Sequence, residues 1–375
     1  MGRDVGERRG ERRGGRGTDN AAMRWDLFCR VIDNHGDLGF CWRLSAALAA
    51  RGERVRLWVD DARALAWMAP GGTAGVELRA WTDAAPASVG DVVVEAFGCD
   101  PPPAFVQAMA RQTPPPLWIN LEYLSAQDYV ERSHGLPSPQ PSGLAKWFFY
   151  PGFTPRTGGL LREPELMRVM AGFDGRAWLA ARGWAPAPQE RVCSLFGYAQ
   201  AAPADGLALL ARAPTLLLVA PGALQAQLRG IARPPGLRIV ELPWLTQPDY
   251  DRLLWSCEIN AVRGEDSFVR AQWAGRPMLW QIYPQHDGVH AVKLEAWLDR
   301  LLQGREDALA DDIRHLQRAW NGLAALPPRL PVLAAWEDVQ RDWRARLLAQ
   351  PELVESLLAF VAVKSRPKSR PAANC

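Results

Sequence analysis

Residues 25–59 read WDLFCRVIDNHGDLGFCWRLSAALAARGERVRLWV. The first part, 25–33 (WDLFCRVID), is an apolar run of strand character, and 34–40 (NHGDLGF) carry turn residues. Residues 41–51 (CWRLSAALAAR) place apolar side chains at helical spacing, with Gly52 as a stop, and 54–59 (RVRLWV) form the next strand. This is a β-α-β unit of minimal length, and it decides the fold class: α/β with a parallel sheet.

Working outward, the alternation continues. A helix is expected near 62–68, and strands near 76–81, 91–97 (DVVVEAF), 117–123 (LWINLEY) and 145–150 (AKWFFY). Pro and Gly cluster in 151–175, which reads as a loop or an inter-domain crossing. The logic then repeats. Strands fit 191–198, 215–220, 237–242, 258–263 and 277–283, and helices fit 206–213, 223–231, 247–257, 265–274 and 289–302. Helical spacing dominates from 307 onward. The expected domains are 25–188 and 189–350, with a helix over 351–362 packing back on the first domain and tails at 1–24 and 363–375. Two doubly wound halves place a cleft between them, and ligands bind beyond the carboxyl ends of such strands.

Composition agrees with a two-domain soluble protein: 375 residues, 48% hydrophobic and 23% charged. No apolar run approaches the roughly 18 residues of a membrane span, and residues 1–24 hold no apolar signal core, so a cytoplasmic protein is expected. The net charge of +3 is unevenly placed. Residues 1–24 carry +3 and 363–375 carry +4, which leaves the body at −4, without a nucleic-acid footprint. The Gly/Arg-rich first tail cannot pack, an RNA-binding role for it stays open, and Met23 is an alternative start. The six cysteines, at 29, 41, 99, 193, 257 and 375, form no CxxC and suit neither zinc nor a disulfide framework.

Three strand-to-helix turns hold the chemistry. The first, Asp33-Asn34-His35-Gly36-Asp37-Leu38-Gly39, offers two carboxylates four residues apart, with glycines that allow close approach of a ligand. Bracing of the turn by Asp33 and helix capping by Asp37 is the other reading. The second, Arg263-Gly264-Glu265-Asp266-Ser267, opens a helix whose free N–H groups suit a phosphate or diphosphate, with Arg263 and Ser267 beside them. Acids at that position also fit ordinary capping. The third, Phe196-Gly197-Tyr198, puts two aromatics at a strand end, where they face a base or a sugar, or simply pack in the core. Asp249-Tyr250-Asp251 matches a DxD metal motif but opens a predicted helix, so its acids read as first-turn residues and no metal is assigned. There is no HExxH, GxSxG or P-loop.

These turns resemble those of the bacterial protein-arginine rhamnosyltransferases that modify translation elongation factor P. The matching stretches are IDNHGDLGFCWRLSAALAARG (32–52), INLEYLSAQDYVERSHGLPSPQ (119–140), FFYPGFTPRTGGLLRE (148–163), SLFGY (194–198), LPWLTQPDYDRLLWSCEINAVRGEDSFVRAQWAGRPMLWQIYPQ (242–285) and DGVHAVKLEAWLD (287–299). The resemblance covers about 25–360 and implies a GT-B fold of two facing Rossmann-like domains. It further implies TDP-β-L-rhamnose as donor, an arginine of elongation factor P as acceptor, inversion at the sugar, and no metal or other cofactor. By the same resemblance Asp33, Asp37 and Glu265 match catalytic acids. Asn34, His35, Gly36, Phe196, Tyr198, Trp244, Gln247, Arg263, Gly264, Asp266, Ser267 and Tyr283 match positions around the substrates. His35 and Trp244 stand where Phe is usual. A sugar-nucleotide epimerase or hydrolase of the same fold, or a non-catalytic translation-factor-binding protein, are the alternative functions.

Overall fold

The structure, a computed structural model, describes residues 22–32, 35–84, 87–199, 204–283 and 288–365. Asp33, Asn34 and nearly all of both basic tails lie outside the described residues.

The first sheet holds β1 (Arg24–Cys29), β2 (Arg54–Val59), β3 (Val76–Ala80), β4 (Val92–Ala96), β5 (Leu117–Leu121), β6 (Pro137–Pro139) and β7 (Ala145–Phe149). Its strand order is β3-β2-β1-β4-β5-β7-β6, parallel throughout except for the β6 edge. The helices between are α1 (Gly36–Ala49), α2 (Leu65–Met68), α3 (Pro103–Arg111) and α4 (Tyr129–Ser133). A crossing with α5 (Leu166–Ala171) and α6 (Gly175–Ala181) leads to the second sheet. There β8 (Arg191–Leu195), β9 (Thr215–Val219), β10 (Leu237–Glu241), β11 (Ile259–Arg263) and β12 (Met278–Gln281) run parallel in the order β10-β9-β8-β11-β12. Its helices are α7 (Ala204–Leu210), α8 (Ala223–Leu228), α9 (Gln247–Ser256), α10 (Asp266–Ala274), α11 (Val289–Leu301), α12 (Ala308–Trp320) and α13 (Leu333–Leu348), and α14 (Leu353–Lys364) ends the described chain.

The central strands are apolar because both faces are covered. Leu27, Val92, Val94 and Ile119 are fully buried in one sheet, and Leu216, Leu217, Leu218 and Val262 in the other. Helix α14 returns to the first sheet, where Leu353, Val354, Leu357 and Val361 join its core. Glu352 caps that helix, accepting from the Glu355 and Val354 N–H groups at 2.7 and 2.9 Å, and pairs with Arg51 beyond α1.

Several boundaries differ from the sequence reading. Residues 34–40 do not all form a turn: α1 begins at Gly36, and the Gly39 N–H closes its first turn on the His35 carbonyl at 2.9 Å. Two glycines depress helix propensity there, but tertiary packing of α1 overrides it. Gly39 packs closely there: a Cβ would meet Gln247 Nε2 at 3.3 Å, a tight contact, and Asp266 Oδ2 at 3.5 Å, an ordinary one. The crossing at 151–175 contains α5 as well as loop. Helix α3, with proline at its start, was not anticipated, and neither were α4, α6 and β6. The five described cysteines are free and buried. No helix among the described residues is long and apolar enough to cross a membrane.

Both sheets reverse their winding beside the first strand of each half, between β1 and β4 and between β8 and β11. These switch points leave a crevice at the strands' carboxyl ends. Gly36 and Asp37 open α1 after β1, Phe196 and Tyr198 follow β8, and Arg263 ends β11 with Glu265 two residues on. Topology thus brings residues more than 200 positions apart to one cleft.

Candidate active site

Two adjoining cavities fill the cleft, and Gly36 and Gly264 line both. The first encloses about 720 Å³ of empty space, its open mouth included, and the second about 970 Å³.

The first cavity combines aromatics with a fixed cation. Its walls include His35, Trp67, Phe196, Trp244, Arg263, Asp266 and Ser267. The Arg263 guanidinium lies over the rings of Phe196 and Tyr198, 4.4 and 4.5 Å from their centroids. The two rings of the Phe-Gly-Tyr turn therefore hold the arginine in place, a cation–π arrangement that keeps its charge at the helix α10 end of the cavity. Gly264 has φ of 63°, a left-handed turn that suits glycine and lets the chain pass from β11 into α10. The Ser267 hydroxyl donates back to the Arg263 carbonyl, bracing that turn. At the other end Trp67 and Trp244 stack at 4.4 Å with 28° between planes, one from each domain, and His35 meets both edge-on at 5.4 and 5.1 Å.

The second cavity carries the acids. Asp37, Glu265, Tyr283 and Lys293 line it with Phe97, Tyr123, Phe268 and Trp280. Asp37 is buried in the first turn of α1, and its Oδ2 accepts from the Ile32 N–H at 2.9 Å. Glu265 Oε2 accepts from the Leu124 N–H at 2.9 Å, across the domain boundary. Its Oε1 is buried without a hydrogen-bond partner among the described residues. Burial, with the neighbouring Asp37 charge adding to it, pushes the Glu265 carboxyl up to about 8 against the Leu124 N–H, which pulls it down. At neutral pH this is a protonated acid, able to donate a hydrogen bond into the cavity. Phe97 and Tyr123 stack at 4.2 Å on the opposite wall, a flat apolar face beside the acids.

The arrangement presents a cationic helix N-terminus and aromatics on one side, and carboxyls beside an aromatic face on the other. Such an arrangement can hold an anionic ligand with an aromatic group on one side and a cationic group on the other. The family described as Elongation-Factor P (EF-P) rhamnosyltransferase EarP matches residues 25–362. The protein-arginine rhamnosyltransferase of Pseudomonas putida is 46% identical, over 90% of this chain and 98% of that one. The chain belongs to the EarP family.

A solved structure on EarP-mediated arginine glycosylation of elongation factor EF-P aligns at 34% identity with a TM-score of 0.61, covering 92% of this chain and all of that one. The glycosyltransferase VinC, solved with dTDP, aligns at 15% identity and a TM-score of 0.52, a likeness of fold alone. The fold is GT-B, and the activity that EarP membership carries is protein-arginine rhamnosyl transfer.

Of the residues singled out in the sequence, His35, Gly36, Phe196, Trp244, Gln247, Arg263, Gly264, Asp266 and Ser267 line the first cavity. Gly36, Asp37, Gly264, Glu265 and Tyr283 line the second. Tyr198 lines neither; it holds Arg263 and meets Tyr283 edge-on at 5.4 Å. Gln247 lines the first cavity but spends its amide across the domains, Nε2 donating to the Gly39 carbonyl at 2.8 Å. Asp33 and Asn34 lie outside the described residues. The DxD acids diverge: Asp249 pairs with Arg182 and Arg252 at 2.9 and 2.8 Å, while Asp251 is buried between Arg43 and Arg270. Among the described residues no three His, Cys, Asp or Glu side chains gather as a metal-ligand set. Sequence reasoning missed Trp67, Phe97, Tyr123 and Lys293. Only Tyr123 and Lys293 fall inside the motif-like stretches, and no spacing marks any of the four as facing the cleft.

Proposed function

We propose that this EarP-family enzyme transfers rhamnose, with inversion, from TDP-β-L-rhamnose to an arginine side chain of translation elongation factor P. The observation that carries the reading is the meeting of the two cavities at Gly36 and Gly264, cationic and aromatic on one side and carboxyl-lined on the other. The thymine is assigned to the aromatic end near Trp244, and the diphosphate to Arg263, Ser267 and the first N–H groups of α10. Negative charge that builds on the leaving diphosphate meets a preoriented helix end and a guanidinium there. The reading therefore calls for no metal and no other cofactor. His35, Gly36, Asn34, Gln247, Gly264, Asp266 and Tyr283 belong to the substrate surround on the same reading, as does Tyr198 through its hold on Arg263.

The acceptor guanidinium is assigned to the second cavity, flat against Phe97 and Tyr123 and hydrogen-bonded to Asp37. Its pKa lies above about 12, so no carboxylate deprotonates it beforehand. One nitrogen attacks C1 of the sugar as the C1–O bond to the diphosphate breaks. The proton on that nitrogen passes to Asp37 as the C–N bond forms, and TDP leaves. Attack from the carboxyl side, opposite the diphosphate side, inverts the anomeric centre. Asp33 is read as a second acid orienting the guanidinium. Glu265, protonated, donates from Oε1 to an oxygen of the bound donor.

The deciding experiment is the intact mass of purified elongation factor P after incubation with this enzyme and TDP-rhamnose. A gain of one deoxyhexose, lost when the acceptor arginine is replaced by Lys, is the expected result. Consumption of the TDP-sugar without a mass gain would overturn the acceptor assignment in favour of a hydrolase or epimerase.

A further inference from the structure

A cluster of buried charges lies at the seam between the domains, and one member, Arg43, also lines the first cavity. Arg43 of α1 gives both terminal nitrogens to Asp251 of α9, each at 3.1 Å. Arg270 of α10 gives the same carboxylate Nε at 2.9 Å and a terminal nitrogen at 2.8 Å. Glu163, on the crossing, joins them at 3.3 Å from Arg43 and 2.8 Å from Arg270. Arg43 Nε also lies 3.3 Å from Asp266 Oδ1. The side chains of Arg43, Asp251 and Arg270 are 6%, 6% and 2% exposed.

Each of the three helices brings residues four apart, hence on one face, to this seam: Gly39 and Arg43, Gln247 and Asp251, Asp266 and Arg270. On α1, Arg43 stands six residues after Asp37, about 9 Å along a rigid helix. On α10, Arg270 stands one turn after Asp266, next to Glu265. The cluster therefore joins the helix that carries the acceptor acid to the helix whose start faces the donor.

Stability alone is a weak reason for such a cluster. Desolvating several charges cancels most of their attraction, and apolar replacements of similar volume are often as stable. What paired guanidinium forks on one carboxylate supply is geometry, since each pair fixes distance and orientation together.

We propose that Arg43 is a positioning residue for glycosyl transfer: through its fork on Asp251, shared with Arg270, it sets the separation of Asp37 from the donor-binding start of α10. The proposal rests on the reading of the cleft as the site where donor and acceptor meet. A group that must lie in line with a breaking bond tolerates little error, and roughly 1 Å of displacement costs about a hundredfold in rate.

The test uses the full-length enzyme with TDP-rhamnose and elongation factor P, and the readout is kcat per TDP-binding site, counted by calorimetric titration with TDP. Arg43→Lys keeps the charge but replaces the fork by a point donor that cannot hold both oxygens. Its kcat per TDP-binding site is expected to fall about tenfold or more, with the Kd for TDP within about threefold of the parent. The paired variant Arg43→Met with Asp251→Leu removes one charge of each sign, leaves Arg270 with Glu163, and carries the test if Arg43→Lys does not fold. The same loss is expected of it. A purely structural role would reduce the number of TDP-binding sites and leave the turnover of each unchanged. Turnover per site within about twofold of the parent in a variant that binds TDP overturns the proposal, as does loss of TDP binding by both. Asp37→Asn is run alongside: wild-type transfer by that variant would instead overturn the catalytic reading of the cleft.

Discussion

Replacing Glu265 by Gln should change how the stability of this enzyme depends on pH. The folded carboxyl holds its proton up to about 8, whereas an ordinary glutamate releases it near 4.5. Between those values the folded state binds the extra proton and the unfolded state does not. Stability from this group is therefore complete below about 4.5 and is lost as pH rises through about 8. The slope is about 1.4 kcal/mol per pH unit, and the loss across the window is no more than about 5 kcal/mol. Glutamine has no proton to lose, so the variant lacks that fall. The assay is urea unfolding of both proteins, without donor, at intervals from about pH 5.5 to about pH 8.5, comparing midpoints at each pH. Glu265→Gln is expected to gain on the wild type steadily as pH rises. Parallel profiles would refute the argument, because they would mean that the Glu265 carboxyl is already ionised in the folded protein. Asp37→Asn should lower the pH at which the Glu265 carboxyl ionises in the folded protein, because the Asp37 charge is one of the causes that raise it.

 Without the Asp37 charge the folded carboxyl ionises at a lower pH, so the window narrows and the total loss shrinks. The Asp37→Asn protein should lie between the wild type and Glu265→Gln at about pH 8.

Four further outcomes are expected. Asp37→Asn should abolish the mass gain on elongation factor P while the Kd for TDP stays within about threefold, because Asp37 lines the second cavity and not the first; a matching loss of TDP affinity would refute the acceptor-side assignment. Arg263→Ala should weaken TDP binding by about 1.5–3 kcal/mol, roughly 10- to 100-fold, in calorimetric titration, with Phe196→Ala doing part of the same by releasing the guanidinium. Trp244→Ala should cost about 1–3 kcal/mol of TDP affinity through lost stacking, and an unchanged affinity would remove the base from that end of the cavity. Leu357→Ala, at a fully buried position of α14, should destabilise the protein by roughly 2–5 kcal/mol, read as a lower unfolding midpoint, while turnover per TDP-binding site is unchanged.

The α/β alternation was legible because it depends on local pattern. A strand buried on both faces must be apolar throughout, and a helix packed on a sheet must repeat every three to four residues. The turns that hold Asp37, Phe196, Arg263 and Glu265 could be named because ligand sites in such sheets lie at the strands' carboxyl ends. The boundaries were less legible. The glycines at 36 and 39 speak for a turn, but α1 runs through both, because its tertiary packing overrides their low helix propensity.

The sequence by itself determined two α/β halves, the turns that bear the acids and the arginine, and membership of a family through long, ordered motifs. Only the tertiary structure decided what those residues touch. It turned the Phe-Gly-Tyr aromatics onto Arg263, placed Glu265 beside Asp37 as a protonated acid, and took Asp251 out of a DxD pair to serve two arginines. The physical reason is that burial, charge proximity and shared hydrogen bonds arise between residues distant in the chain. Arg43 and Asp251, 208 positions apart, carry no mark in the sequence of the contact they make.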